Sequence, residues 1–327
     1  MPELHDDELH PSYIGMPTYL GTPFAVNAKE LKSMNADIAI IGAPVDMGVV
    51  GRPGARYGPR AIRQADYWPK PAKLSNLYHL NLEVFPLKEM NVVDFGDANC
   101  PPSSLEKSHE AVENKVTEAL DADAIPIVLG GDHSITWPSA TAVAKKYGYG
   151  NVGMVHFDAH CDTGDDYLGS KFHHGAPFRR AVEEGLLDPQ RTIQIGIRGP
   201  LNDPDVWKFS EDSGMRVVSI EEFYDSGWRA VMAEARKVVG EGPTYISFDV
   251  DGLDPVYAPG TGTPEVGGFT THEAQQMIRS LRGLQLFGGD VVEVAPPFDP
   301  SGTTALVGAS IMFEILCVVS ESVASRK

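Results

Sequence analysis

A three-layer α/β/α fold, with a mostly parallel sheet between helices, is what this chain predicts. Three observations carry the prediction. Short apolar runs closed by Gly or Pro recur along the sequence, helix-like stretches alternate with them, and metal-type side chains follow several runs directly. A continuous apolar run marks a strand buried on both faces, as in parallel sheets. Its alternation with helices marks βαβ units.

The first run is ADIAIIGAP at 36–44. The form recurs at AIPIVLGG (124–131), NVGMVHFD (151–158), TIQIGI (192–197), MRVVSI (215–220), PTYISFD (243–249) and GGDVVEVAP (288–296). Helix-like patterns lie between and after these runs, at 105–121, 137–148, 221–240, 272–283 and 304–323. No Gly/Ser linker, low-complexity tract or internal repeat interrupts them, so 36–327 reads as one domain. Residues 1–35 are polar and rich in Pro and Gly, and read as an arm over the surface or against a neighbouring subunit.

Composition narrows the function. Forty-five Asp and Glu against 27 Lys and Arg give a net charge of −18. That disfavours nucleic acid and anionic membranes, which call for basic patches. It suits a cationic substrate, although acidity also serves solubility. Three scattered cysteines, Cys100, Cys161 and Cys317, do not make a disulfide framework and read as reduced thiols in a cytoplasmic protein. The acidic N-terminus lacks an apolar signal-peptide core. No uninterrupted run of about 18 apolar residues suggests a membrane span.

The chemistry concentrates at strand ends. GGDHS (130–134) lets His133 project beyond the sheet, and Asp132 is placed to orient a ligand or the turn. In DAHCD (158–162), Asp158, His160 and Asp162 fall at alternate positions and face one side of an extended segment. Cys161 faces the other way and reads as a packing residue. In DVDGLDP (249–255), Asp249 and Asp251 repeat the pattern, while Asp254 before Pro255 reads as turn chemistry. Carboxylates packed this closely repel one another unless a cation sits among them. Four carboxylates and two imidazoles suffice for two divalent ions sharing a water, and oxygen-rich ligation with some imidazole suits Mn²⁺. The second acidic motif lacks the EF-hand pattern and its closing Glu. G-x-G-x-x-G is absent at 40–48, and G-x-S-x-G is absent throughout, which argues against dinucleotide binding and a serine hydrolase.

These segments resemble the ureohydrolase family of arginases, agmatinases and guanidino-acid hydrolases. The likeness extends to GAPVDMGVVGRPGARYGPRAIR (42–63), HHGAPFRRA (173–181) and DVVEVAPPFDPSGTTAL (290–306), and covers roughly 36–320. It implies an arginase-like fold, two Mn²⁺ per subunit with Ni²⁺ as an alternative, and a homotrimer or homohexamer. One ion is then expected at His133, Asp158, Asp162 and Asp249, and the other at Asp158, His160, Asp249 and Asp251. The implied reaction hydrolyses a guanidinium to urea and an amine. Asp162 would hold the proton of the attacking water. His174, which directly precedes Gly175, would pass a proton to the leaving amine, with His173 as its competitor. Glu293 would hold the guanidinium.

Arg52, Arg56, Arg60 and Arg63 could orient a substrate tail or hold loops and subunits by salt bridges. Asp165 and Asp166 could favour a cationic tail or be solvated loop charges. The segment 158–175 is closer to agmatinases and to guanidinobutyrase- or guanidinopropionase-type enzymes than to arginases. Agmatine is therefore the expected substrate, ahead of guanidino acids and free guanidine. A formimino or other amide hydrolase and a non-catalytic subunit are the competing readings, but all six ligands, His174 and Glu293 are present.

Overall fold

The computed structural model describes residues 15–65, 74–88, 90–201 and 203–327. Eight parallel strands form one sheet: β1 (Ile38–Ala43), β2 (Val92–Asp97), β3 (Ile125–Gly130), β4 (Val152–Phe157), β5 (Leu187–Ile197), β6 (Arg216–Ser219), β7 (Thr244–Asp249) and β8 (Leu286–Val292). Their order across the sheet is β2-β1-β3-β8-β7-β4-β5-β6. The expected three-layer α/β architecture is therefore present, with all the pairings parallel.

Side-chain alternation explains the two covering layers. Ile38 and Ile40 of β1 enter one core, while Ala39, Ile41 and Ala43 enter the other. The first core is closed by α2 (Gly58–Gln64), α7 (Ile220–Ser226), α8 (Trp228–Val239), α9 (Thr271–Arg279) and α10 (Thr303–Ala324). The second is closed by α1 (Ala28–Ser33), α3 (Leu105–Asp121), α4 (Thr136–Tyr147) and α5 (Pro177–Glu183). A further helix, α6 (Asp205–Ser213), covers Cys161, Ile197 and Val217 beside the sheet.

Several local expectations change. Strand β2 was not anticipated, because Asp94 and Asp97 break its apolar run. Buried Asp94 is neutralised by Arg63 of α2, at 2.8 and 2.9 Å. The single helix expected over 221–240 is two helices, since Gly227 at φ 78° and ψ 146° cannot continue either one. Helix α10 is long and apolar enough to cross a bilayer, with mean hydropathy 1.8 over its most apolar stretch. It matches the helix-like stretch expected over 304–323, and 72 % of its most apolar stretch is buried within the protein, so it packs as a core helix. Its buried Glu314 is held by Arg279 of α9 and by His79.

Of the expected N-terminal arm, residues 15–35 are described and are anchored to the sheet. Tyr19 N–H donates to Asp94 Oδ2 at 2.8 Å, and Tyr19 OH donates to Ala309 O of α10 at 2.9 Å. Residues 1–14 lie outside the described residues.

The topology brings the motifs together. Strands β3, β8, β7 and β4 are adjacent at the centre of the sheet, and their carboxyl ends carry His133, Glu293, Asp249 and Asp158. The chain passes from β3 to β4 across two intervening strands, which makes this edge a topological switch point.

Candidate metal centre and cleft

After β3 the chain turns within a crowded space. A Cβ on Gly131 would lie 2.4 Å from Val45 O and 2.5 Å from Ala43 O. The turn delivers His133 at the head of α4, fully buried. Its Nε2 lies 2.8 Å from Ser247 Oγ, and Ser247 donates to Asp290 Oδ1 at 2.7 Å. Asp290 also accepts from Thr136 Oγ1 and Tyr245 OH. Because the Ser247 proton is committed to Asp290, His133 carries its own proton on Nε2.

The other nitrogen, Nδ1, therefore presents a lone pair. It lies 3.1 Å from Asp158 Oδ2, 2.9 Å from Asp162 Oδ2 and 3.2 Å from Asp249 Oδ2. Three carboxylates cannot face a lone pair stably without a positive charge between them. Burial alone would lower the pKa of His133, yet its contacts with these carboxylates raise it well above the ordinary value. A second proton or a metal cation meets the same need, and a metal displaces the proton.

The second half of the cluster is continuous with the first. His160 Nδ1 lies 3.4 Å from Asp158 Oδ1 and 3.2 Å from Asp251 Oδ2. Asp158, Asp249 and Asp251 are all buried. Burial pushes Asp249 well up, and Asp251 and Asp158 push it further. Burial and Asp158 raise Asp251. Burial would raise Asp158 too, but His156 first, then the neighbouring His133 and His160, hold it well down. All six residues expected as ligands thus converge.

Residues not anticipated from the sequence hold them in place. His156 Nε2 lies 2.7 Å from Asp158 Oδ2, and the Gln194 amide donates to His156 Nδ1 at 3.1 Å. His156 lies close enough to His133 and Asp158 to be counted with them as a metal-type group. Both of its nitrogens are engaged, so it orients Asp158. Thr263 donates to Asp251 Oδ2 at 3.1 Å. His156 and Ser247 each sit two residues before an expected ligand, on the same strand face. A polar residue at that position in an apolar strand was the available signal.

Glu293 and His174 meet directly. Glu293 Oε1 accepts from His133 N–H and from His174 Nδ1, both at 2.9 Å. Its Oε2 is buried without a hydrogen-bond partner and points toward Gly262. Val50 N–H approaches His174 Nε2 at 3.3 Å, the arrangement of a neutral ring with its proton on Nδ1. Against burial, Glu293 and Asp162 raise the pKa of His174 to about 9. Proton uptake at Nε2 is therefore favoured, at the expense of the Val50 contact. Asp162 and Glu293 adopt φ of 52° and 64°, left-handed values that cost non-glycine residues roughly 1–3 kcal/mol and gather at functional sites.

A cleft of about 300 Å³ opens onto this cluster. Asp162, His174 and Asp251 form its buried end, and Asp166, Tyr167 and Asp203 its exposed mouth. Glu293 is not among its lining residues but is hydrogen-bonded to His174, which is. His173 lines the cleft with both ring nitrogens buried and unpartnered. Of the charges left open by the sequence, Asp165 is tied to Arg180 at 2.9 Å, and Asp166 caps its own loop by accepting from Gly169 N–H. Arg56 pairs with Asp46, Arg63 pairs with Asp94 and Asp97, and Arg52 stacks over Phe298 at 4.0 Å. Asp254 closes a turn by accepting from Val256 and Gly267 N–H groups.

A model of the Arginase family matches residues 36–318. The chain is 47 % identical over 315 residues to a guanidinopropionase of Pseudomonas aeruginosa, covering 96 % of this chain and 95 % of that one. It is 45 % identical to a mitochondrial agmatinase of Gallus gallus, over 94 % of this chain and 86 % of the relative. Among solved structures, the proclavaminate amidinohydrolase of Streptomyces clavuligerus superposes with a TM-score of 0.87 at 35 % identity, covering 96 % of this chain and all of that one.

Proposed function

Because the chain belongs to the arginase family, we propose that it is a binuclear-metal amidinohydrolase that converts a guanidino compound, agmatine foremost, to urea and an amine. One observation carries this reading: the lone pair of buried His133 Nδ1 faces three carboxylates. In the proposed centre, His133, Asp158, Asp162 and Asp249 would hold one ion, and Asp158, His160, Asp249 and Asp251 would hold the other. The donor set is oxygen-rich with two imidazoles, which fits Mn²⁺, with Ni²⁺ as the alternative. Two such ions supply an ionised water at neutral pH.

The chain's own groups then divide the remaining work. Glu293 Oε2, the unpaired carboxylate oxygen, is the acceptor for the guanidinium. Asp162 takes the proton of the attacking water. His174 delivers a proton from Nε2 to the departing amine. Acidic Asp166 and Asp203 at the mouth favour an ammonium-ended tail such as agmatine's over a carboxylate-ended one. Family resemblance further supports one catalytic domain over 36–327 and a homotrimer or homohexamer, and three free, scattered cysteines suit a cytoplasmic protein; light scattering tests the assembly.

The deciding experiment incubates Mn²⁺-loaded protein with agmatine, 4-guanidinobutyrate, 3-guanidinopropionate, arginine and guanidine, and measures urea. Highest kcat/KM on agmatine supports the reading. No urea from any of them, with Ni²⁺ also tried, overturns it. The tail preference has its own check. Asp203→Asn is expected to raise KM for agmatine about threefold at low salt, with little change for 4-guanidinobutyrate. Equal shifts for both would remove Asp203 from tail recognition.

The relay behind His133 makes a further prediction. Ser247→Ala removes the acceptor of His133 Nε2–H and frees the ring to change tautomer. Metal affinity is expected to fall about 10- to 100-fold, with the fold retained, as measured by competition with a chelator. Unchanged affinity would mean that packing alone sets the orientation of His133.

A further inference from the structure

Helix α3 reaches the site region through one polar side chain. His109 is 3 % exposed, and its Nε2 lies 2.8 Å from Ser134 Oγ. Ser134 gives its hydroxyl proton to Asp132 Oδ1, so His109 is the donor to Ser134. Asp132 Oδ2 in turn accepts from Gly48 N–H at 2.8 Å. The loop that begins after β1 is thereby tied to α3 through three buried side chains.

That loop grips His174 twice. Gly48 O accepts from His174 N–H at 2.9 Å, and Val50 N–H meets His174 Nε2 at 3.3 Å. The rest of the His109 ring packs edge-on against Trp137 and Phe172, with centroids 5.6 and 6.3 Å away. Phe172 lies two residues before His174 and packs on Trp137 at 5.0 Å. One imidazole that does not line the cleft thus packs on Phe172, in the segment that carries His174, and reaches the loop that holds His174 through Ser134 and Asp132.

We propose that His109 is a positioning residue for His174, fixing the orientation of the His174 ring through Ser134, Asp132 and the Gly48–Val50 loop. The inference rests on the amidinohydrolase reading for its kinetic consequence, and on geometry alone for its structural one. With Glu293 on Nδ1 and the His174 N–H bound to Gly48 O, the His174 ring and its backbone have one orientation. Without the His109 donor, the Ser134 hydroxyl is free to turn away from Asp132. The loop then loses its anchor, and Gly48 O loses its hold on the His174 N–H. Small displacements of a proton-transfer group cost turnover more than binding. The metal ligands and Glu293 are not touched by His109.

The test compares His109→Leu, His109→Asn and His109→Gln in the metal-loaded protein. A glutamine amide reaches the position of Nε2 and can donate to Ser134; an asparagine amide reaches only the position of Nδ1. Two readouts are taken: kcat and KM from urea release, and amide exchange of the 44–54 segment by mass spectrometry, with β5 as the internal control. The Leu and Asn variants are expected to lose about tenfold or more in kcat with KM within about twofold. Their 44–54 amides should exchange at least about tenfold faster while β5 is unchanged. The Gln variant should approach the parent in both. Should the Leu variant fail to fold, the Asn and Gln pair decides the matter. The proposal is overturned if Gln is as impaired as Asn, if loop exchange does not change, or if the loop loosens without loss of kcat. Exchange needs no turnover, so a parent protein that releases no urea refutes the amidinohydrolase reading while loop exchange still decides whether His109 holds the loop.

Discussion

Asp249→Asn is expected to lower urea release by about 10³-fold or more and, in the same protein freed of metal, to raise the melting temperature. The first effect follows from position. Asp249 Oδ2 lies 3.2 Å from His133 Nδ1, and Asp249 is assigned to both ions, so its charge cannot be removed from one without weakening the other. Losing an ionised water costs several factors of ten, each worth about 1.4 kcal/mol of barrier. The second effect follows from what the carboxylate endures without metal. It is buried, it receives one backbone N–H bond, from Asp251, and it faces Asp251 and Asp158. Burial and these neighbours raise its pKa well above the ordinary carboxylate range, so its ionised form is worse off folded than unfolded. For such a group, stability is lost as pH rises above the unfolded carboxylate value. The metal-free parent should therefore weaken between about pH 4 and neutrality relative to the Asn variant. A neutral amide removes the repulsion and can donate to His133 Nδ1. A gain on the order of 1 kcal/mol corresponds to about 1–2 °C in Tm for a chain of this size. Urea assay, metal analysis and calorimetry of the metal-free proteins decide it. A metal-free variant less stable than its parent at pH 7 would show that the carboxylates do not strain the fold. Unchanged activity would remove Asp249 from the centre.

The clustering of these side chains was legible because metal-type residues at the carboxyl ends of parallel strands leave local marks. Ligands at alternate positions after a buried strand, as in Asp158, His160 and Asp162, can be read from spacing alone. A histidine after a double glycine is a weaker mark alone, and the structure supplies the reason for the glycine: Gly131 packs against Val45 and Ala43 backbone where no side chain fits. What could not be read was partnership between distant segments. Asp94 looked like a break in a strand because Arg63, which neutralises it, is 31 residues away in sequence. Ser247 and Asp290 orient His133 from two other strands. Glu293 could be expected at the site, but not its bond to His174, which depends on the register of β8 and on the 173–175 loop. His109 carried no local mark, since a histidine on an amphipathic helix has no sequence sign of what it touches.

Glu293→Gln should keep both metals and lose about 10²-fold in kcat/KM. Gln retains an oxygen in place of Oε1, so the acceptor for His133 N–H and for His174 Nδ1–H survives, and the turn that presents His133 is not disturbed. The change falls on Oε2, which has no partner within the protein. There an NH₂ group replaces an anionic acceptor, and a guanidinium, which only donates, meets a donor. Charge-assisted bonds are worth about 1.5–3 kcal/mol, which sets the scale of the loss. A second consequence reaches His174. Burial lowers its pKa, and the Glu293 charge is the largest of the influences that raise it to about 9. With that charge gone, protonation at Nε2 requires lower pH. A rate that depends on charged His174 falls in the parent as pH rises through the His174 pKa, and should fall at lower pH in the variant. Metal analysis, agmatine kinetics and the pH profile separate the possible roles. Loss of metal would make Glu293 a support for the His133 turn. Full activity with metals bound would leave the guanidinium to some other acceptor. A lowered kcat/KM with the alkaline limb displaced to lower pH is the result expected of a carboxylate that serves substrate through one oxygen and His174 through the other.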